Sequence, residues 1–267
     1  MPDGEIVLEI SGGVATATIN RPDKRNALNA SALGELHAAV EAVARDPSAR
    51  VLVLTGAGDK AFCSGADLGR MFGSDDAPRP EGAVVGAHQA RGQLARLFTS
   101  LYGLGKPTIA KVRGYALAGG FGLALACDMV VASRDAIFGT PEIDVGLWPY
   151  MVTVPMLRSM PPKVALELMM TGRRVPAEEA LGLGFVNRVV DPQDLDAVTA
   201  EIAEVLAAKS PQAMKLGRTA FYRALSMGTE EALEYLLAML TVTSSTEDAA
   251  EGIAAFMEKR PPSWAGH

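Results

Sequence analysis

Lys111-Val112-Arg113-Gly114-Tyr115-Ala116-Leu117-Ala118-Gly119-Gly120-Phe121-Gly122-Leu123-Ala124-Leu125-Ala126-Cys127-Asp128 is the stretch around which the chain is organised. An apolar strand, Thr108 to Val112, runs into a glycine turn, and the turn opens directly into a helix of small residues. The first N–H groups of a helix have no partner within it, so they point into whatever lies above the turn, which is the geometry of an anion site. Gly119 and Gly120 carry no Cβ, so a ligand can approach the main chain closely. The stretch reads as half of an oxyanion hole.

On its N-terminal side, Ile6 to Ile10 and Val14 to Ile19 are β-rich runs around Ser11-Gly12-Gly13, a hairpin pattern. Asn20 to Asn29 is a polar loop and the most basic short segment near the N-terminus. Ser31 then precedes a helix with Leu33, Leu36, Ala39, Val40 and Val43 on one face. Val51 to Thr55 is continuously apolar and reads as a strand buried on both faces. Gly56 to Leu68 reads as a glycine-punctuated loop, Gly73 to Gly86 as a mobile loop of the length that often forms a lid, and about Ala87 to Leu101 as a helix.

On its C-terminal side, Met129 to Ala132 and Ala136 to Phe138 read as strands, and the alternation of strands with helices points to an α/β architecture. From Val164 onward helical patterns dominate: Ala165 to Met170, Ala177 to Leu183, Leu195 to Lys209, Gln212 to Leu225, Glu230 to Thr241 and Thr246 to Glu258. Phe185 to Val190 interrupts them as a strand-like run. The expected organisation is a strand-bearing body over residues 1–191 and a helical region over residues 192–267, with the boundary near Pro192. No repeat is visible at the level of sequence. Leu233, Leu236, Leu237 and Leu240 give the late helices broader apolar faces than a small appendage buries alone, so they pack on the body or on another subunit.

The chain of 267 residues is long enough for a sizeable core, and its 49% hydrophobic content with dispersed charge excludes the disordered and fibrous classes. A formal net charge of −6 argues against nonspecific nucleic-acid binding, which needs clustered Lys and Arg. The charge-free runs Gly114 to Cys127 and Val145 to Leu157 fall short of the roughly 20 residues of a spanning helix and read as buried core. Met1-Pro2-Asp3-Gly4-Glu5 shows neither a basic region nor an apolar signal stretch, so a cytoplasmic location is the default expectation. Cys63 and Cys127 read as free thiols, and no metal-ligand spacing is present.

Three stretches, taken together and in this order, resemble one family: Phe62-Cys63-Ser64-Gly65-Ala66-Asp67-Leu68, Gly114-Tyr115-Ala116-Leu117-Ala118-Gly119-Gly120-Phe121, and Thr140-Pro141-Glu142-Ile143 with Gly146. With the tail Phe256-Met257-Glu258-Lys259-Arg260-Pro261-Pro262 they are similar to the enoyl-CoA hydratase/isomerase (crotonase) superfamily over nearly the whole chain. The resemblance implies a spiral of repeated ββα units with a helical C-terminal region, assembled as trimers or dimers of trimers. It also implies an acyl-CoA substrate, with coenzyme A as part of the thioester and no permanently bound cofactor.

The chemistry behind such a site follows from charge. A thioester that loses an α-proton, or accepts a nucleophile at its β-carbon, passes through an enolate, and losing one of two backbone donors to its oxygen costs on the order of 3 kcal/mol. By resemblance the donors are the N–H groups of Ala66 and Gly119. Glu142 is the acid/base group; set among Ile143, Val145, Leu147 and Trp148, its charged form is disfavoured, the direction such a role needs. The same resemblance assigns CoA contacts to Lys24, Arg25, Ala27, Ser64, Ala66, Asp67, Leu68 and Gly119, and to Phe256 and Lys259 on a segment that often serves the adjacent subunit.

Two departures bear on the reaction. The hydratases of the family hold water with two glutamates, and the second falls where this chain has Gly122. One glutamate suffices to move a proton between two carbons. Asp144 shares the face of Glu142 only if the segment is extended. The family's Gly-x-Gly-Gly segment is replaced by Trp148-Pro149-Tyr150-Met151-Val152, so Trp148 and Pro149 are expected to reshape the acyl pocket. The alternatives are another acyl-CoA lyase or decarboxylase, or a CoA-binding protein with little catalysis. Gly56-Ala57-Gly58-Asp59-Lys60-Ala61 fits the dinucleotide G-x-G-x-x-A form but leads into another glycine loop instead of a long helix. No G-x-S-x-G elbow accompanies the three histidines.

Overall fold

The computed structural model describes residues 4–66 and 83–266. Strands β1 (Ile6–Ser11) and β2 (Val14–Ile19) form the expected antiparallel hairpin, with Ile6 opposite Ile19 and Ser11 opposite Val14. Helix α1 (Ala30–Arg45) starts at Asn29 rather than after Ser31, because the Asn29 side chain accepts the N–H of Ala32 at 2.7 Å and closes its first turn. Strand β3 (Val51–Gly56) is buried along nearly its whole length.

Strand β4 (Ala61–Cys63) corrects the reading of Gly56 to Leu68 as loop alone. Its three residues are all buried, and a run so short carries no alternation to read. The loop expected at Gly73 to Gly86 lies outside the described residues as far as residue 82, and helix α2 (Ala83–Tyr102) begins four residues before the expected Ala87. Strand β5 (Thr108–Val112) does not pass straight into the small-residue helix: a second strand, β6 (Tyr115–Leu117), precedes α3 (Gly119–Leu125).

Beyond these lie β7 (Met129–Ser133), β8 (Ile137–Gly139), a 3-10 turn (Pro141–Val145), α4 (Tyr150–Ser159), α5 (Pro162–Thr171), β9 (Val175–Pro176), α6 (Ala177–Gly182) and β10 (Arg188–Val190). Four helices complete the chain: α7 (Leu195–Ala207), α8 (Pro211–Ala224), α9 (Thr229–Ser244) and α10 (Glu247–Glu258).

Two mixed sheets result, a large one in the order β1-β2-β3-β5-β7-β10 and a small one in the order β4-β6-β8-β9. The pairs β3/β4, β5/β6 and β7/β8 each place one strand in the large sheet and the next in the small sheet, and a helix then returns the chain. Each ββα turn thus adds a parallel strand to both sheets, and the fold grows as a spiral. A parallel sheet built this way is covered on both faces. Leu52, Leu54, Ala110 and Val112 face the main core, while Val51, Val53, Ile109 and Val131 face outward beneath Leu195 and Ala203 of α7. Helix α7 lies past the boundary drawn at Pro192, yet it covers the body's own sheet.

Helix α8 is tied to the body by one polar cluster. The Asp128 carboxylate accepts the Thr108 N–H at 2.7 Å, the Tyr222 hydroxyl at 2.6 Å and Arg218 Nε at 2.7 Å. Arg218 is 8% exposed and also donates to the carbonyls of Leu101 (2.6 Å) and Tyr102 (2.8 Å), so its charge is satisfied where water barely reaches. The tail is strapped down as well. Arg260 pairs with both carboxylate oxygens of Glu251, Trp264 Nε1 donates to the Ala208 carbonyl at 2.8 Å, and the Gly266 N–H donates to Asp248 at 2.9 Å.

The run Gly114 to Cys127 is largely buried, as expected, but Val145 to Leu157 is not. It runs from the last residue of the 3-10 turn into α4, which exposes Tyr150, Met151, Val154 and Leu157. Leu233, Leu237 and Leu240 on α9 and Phe256 and Met257 on α10 are likewise more than half exposed, so no part of the described chain covers these faces. No helix among the described residues is long and apolar enough to cross a membrane. Removing the Asp128 carboxylate strands the Arg218 charge, so Asp128→Ala should lower stability by about 3 kcal/mol, measured by urea unfolding.

Candidate active site

Strands β4, β6 and β8 are parallel neighbours, and their C-terminal ends deliver three segments to one cavity of about 540 Å³. After β4 come Ser64, Gly65 and Ala66; after β6, Ala118 and Gly119; after β8, Pro141 and Glu142. Cavities at the carboxyl ends of parallel strands arise because every connection leaves there and the loops diverge.

The first two segments touch. Gly65 has φ +97°, and a Cβ on it would lie 2.7 Å from the Ala118 Cβ and 3.3 Å from the Gly119 nitrogen, so only glycine lets the two loops meet. Ala118 holds φ 51° and ψ −128°, a region L-residues rarely occupy. It is kept there by its N–H bond to the Gly139 carbonyl (2.9 Å) and by the Gly122 N–H on its own carbonyl (3.1 Å). Gly119 follows on the cavity wall. The N–H groups of Ala66 and Gly119 donate to no atom among the described residues. Gly120, expected to admit a ligand, instead admits the backbone: a Cβ there would lie 2.2 Å from the Cys63 carbonyl oxygen.

Glu142 enters from the third segment. The 3-10 turn that carries it opens with Pro141, is pinned by Thr140 Oγ1 donating to the Leu168 carbonyl (3.2 Å), and closes with the Leu147 N–H on the Glu142 carbonyl (2.9 Å). Its Oε2 is buried and has no hydrogen-bond partner among the described residues. Burial pushes the carboxyl above its ordinary value, against the smaller opposing pull of its own N–H and of Arg174. Asp144 does not join it, since the segment is helical rather than extended; the Asp144 carboxylate lies against Gly172, where a Cβ would sit 3.0 Å from its Oδ1. Among the described residues Glu142 is the only charged side chain on the cavity wall.

Gly122, where the resemblance puts a second glutamate in hydratases, is not on the cavity wall. A Cβ there would stand 2.8 Å from Phe98 Cζ and 3.1 Å from Val152 Cγ2. Trp148 and Pro149 line the cavity. Leu28, Leu33 and Leu94 line it too, and sequence reasoning missed this: Leu33 was placed on the core face of α1, and a leucine facing a cavity has the same periodicity as one facing the core.

Lys24 and Arg25 are exposed and lie outside the cavity wall, but the Arg25 carbonyl accepts the Ser64 N–H at 3.1 Å, which sets this basic pair beside the Ser64 loop. Ala27 is buried next to them. Asp67 and Leu68 lie outside the described residues. Phe256 and Lys259, at the end of α10, are not on this wall; Phe256 is 81% exposed beside Trp264 in a separate surface depression. Cys63 and Cys127 are free and buried, and burial pushes each thiol up to about 12, so neither is a nucleophile.

Ala66, Gly119 and Glu142 thus share one cavity wall, and the Glu142 Oε2 on it is buried without a hydrogen-bond partner among the described residues. The sequence profile described as enoyl-CoA hydratase/isomerase matches residues 9–267. The chain is 35% identical to short-chain-enoyl-CoA hydratase of Clostridium acetobutylicum, over 96% of this chain and 95% of that protein. It is also 35% identical to (E)-benzylidenesuccinyl-CoA hydratase of Thauera aromatica, over 98% and 99% respectively. The crystal structure of an enoyl-CoA hydratase from Mycobacterium smegmatis superposes with a TM-score of 0.91 at 34% identity, covering 98% of this chain and 99% of that one. A match in sequence and in overall fold along nearly the whole chain places it in the enoyl-CoA hydratase/isomerase (crotonase) superfamily.

Proposed function

We propose that the chain binds an enoyl-CoA thioester and moves a proton on it through an enolate, with Glu142 as the single acid/base group. The N–H groups of Ala66 and Gly119 hold the thioester oxygen as it gains charge. The observation that carries the reading is the Glu142 carboxylate, the one charged group on the cavity wall among the described residues, with its Oε2 buried and unpartnered, while Gly122 is walled in by Phe98 and Val152. One carboxylate is enough for double-bond isomerisation. Glu142 takes a proton from C2 of a 3-enoyl-CoA, the electrons delocalise onto the thioester oxygen, and the proton returns at C4 to leave the 2-enoyl product.

Hydration is the second reading, and the names of the 35% identical relatives favour it. In that reaction water adds at C3, and Glu142 takes the proton from the water and gives one to C2. Another acyl-CoA lyase or decarboxylation reaction would use the same enolate. The basic pair Lys24 and Arg25 suits the phosphates of CoA, beside Ala27, Ser64, Asp67 and Leu68. Residues 192–267 are proposed as the trimerisation region, in a trimer or dimer of trimers. The uncovered apolar faces of α9 and α10 support this, and there Phe256 and Lys259 would reach the CoA of a neighbouring copy.

Turnover of 2-enoyl-CoA and 3-enoyl-CoA in heavy-oxygen water separates the readings. A moved double bond without label means isomerisation, label at C3 means hydration, and no turnover of either panel removes the enzyme assignment. Glu142→Gln should reduce kcat by about a hundredfold or more, and unchanged turnover would remove Glu142 from its role. Because Glu142 must start ionised and burial raises its value above 4.5, kcat/KM should fall as pH drops through that raised value. A pH profile that stays flat down to ordinary carboxylate values contradicts this. Gly122→Glu should gain no hydration and should lose about 2 kcal/mol of stability in a denaturant titration, since its Cβ meets the Phe98 ring.

A further inference from the structure

Asn26 stands outside the cavity wall, yet it is 0% exposed, and a buried polar side chain is kept only where its bonds are made. Its amide makes three. Nδ2 donates to the carbonyls of Ala61 (2.6 Å) and Ala57 (3.0 Å), and Oδ1 accepts the Arg21 N–H (3.0 Å). Arg25 and Asn26 both adopt left-handed backbone, at φ 50° and 55°, a conformation asparagine tolerates better than most residues. Gly56 leaves the space for the amide, as a Cβ there would lie 2.5 Å from Nδ2.

These bonds control the loop that leaves β4. Ala61 is the first residue of that strand, so the amide fixes where it starts. On either side of Asn26, the Arg25 carbonyl accepts the Ser64 N–H (3.1 Å) and the Leu28 N–H donates to the Gly65 carbonyl (2.8 Å), giving a parallel bridge between Leu28 and Ala66. The bridge uses the Gly65 carbonyl and leaves the Ala66 N–H unpaired among the described residues. The chain from Arg25 to Leu28 is therefore a splint along the chain from Ser64 to Ala66, and the Asn26 amide is what locks it in place.

We propose that Asn26 is a positioning residue that sets the Ala66 donor of the oxyanion hole. The proposal rests on the assignment of Ala66 and Gly119 as the donors. It also couples the basic loop to the reaction, because displacing Lys24 and Arg25 moves the same splint.

The test uses an unreactive acyl-CoA carrying carbon-13 at the thioester carbonyl, whose stretching frequency falls when two N–H groups polarise it. The signal comes only from bound, folded protein, so it is blind to a loss of stability. Asn26→Gly keeps the left-handed backbone and removes the amide, and Asn26→Ser leaves one hydroxyl donor, one bond shorter than the amide, directed toward the same carbonyls. The expected result is a lowered frequency in the native protein, lost in Asn26→Gly and partly kept in Asn26→Ser. With it, kcat falls about thirtyfold in Asn26→Gly while the dissociation constant for the acyl-CoA changes by less than about threefold. A native frequency in either variant overturns the proposal for Asn26. A frequency in the native protein equal to that of the free thioester overturns the donor assignment itself. If Asn26→Gly does not fold, the partial shift in Asn26→Ser decides.

Discussion

The candidate cavity depends on the parallel pairing of three very short strands. β4, β6 and β8 are three residues each, and alone such strands would not hold a register. They hold it because each is the second half of a strand pair whose first half, β3, β5 or β7, is locked into the large sheet. The large sheet is the foundation and the small sheet is the jig. Ala66, Gly119 and Glu142 are far apart in sequence, and the ladder brings the loops that carry them to one edge. Local contacts then refine the placement: Gly65 against Ala118, the Ala118 N–H on Gly139, and the Asn26 amide on Ala61.

Electrostatically the cavity is simple. Among the described residues its wall carries one carboxylate, that of Glu142, in a lining that is otherwise uncharged. Partial burial on this wall makes Glu142 a weaker acid than a solvated carboxyl. Charge that must be neutralised for structural reasons is kept elsewhere, as in the Asp128 and Arg218 pair under α8. Neither Asp128 nor Arg218 lies on the cavity wall.

The sequence made legible what depends on glycine, apolar runs and short motifs. The large sheet, the hairpin, α1 and the C-terminal helices were readable from periodicity, and the short motifs singled out Glu142, Trp148 and Pro149, which share one cavity wall. The small sheet was mostly missed. Three buried residues such as Ala61 to Cys63 show no alternation, and their strand character exists only through pairing with distant chain. Exposed Tyr150 and Leu157 were taken for core because apolarity alone does not say which neighbour covers a side chain. Asn26 looked like one polar residue in a polar loop. Its burial and its three bonds follow from tertiary contacts with residues 57 and 61, which no local pattern encodes.

The strapped tail has a spectroscopic consequence. The chain has two tryptophans, and the fold divides them: Trp148 sits in the cavity wall, while Trp264 is fastened to the Ala208 carbonyl beside the exposed end of α10. Their emission therefore reports on two separate events. One indole senses what enters the cavity, and the other senses what settles over the uncovered helices. A single intrinsic fluorescence trace on the unlabelled protein carries both signals, and replacing either indole by phenylalanine would resolve them.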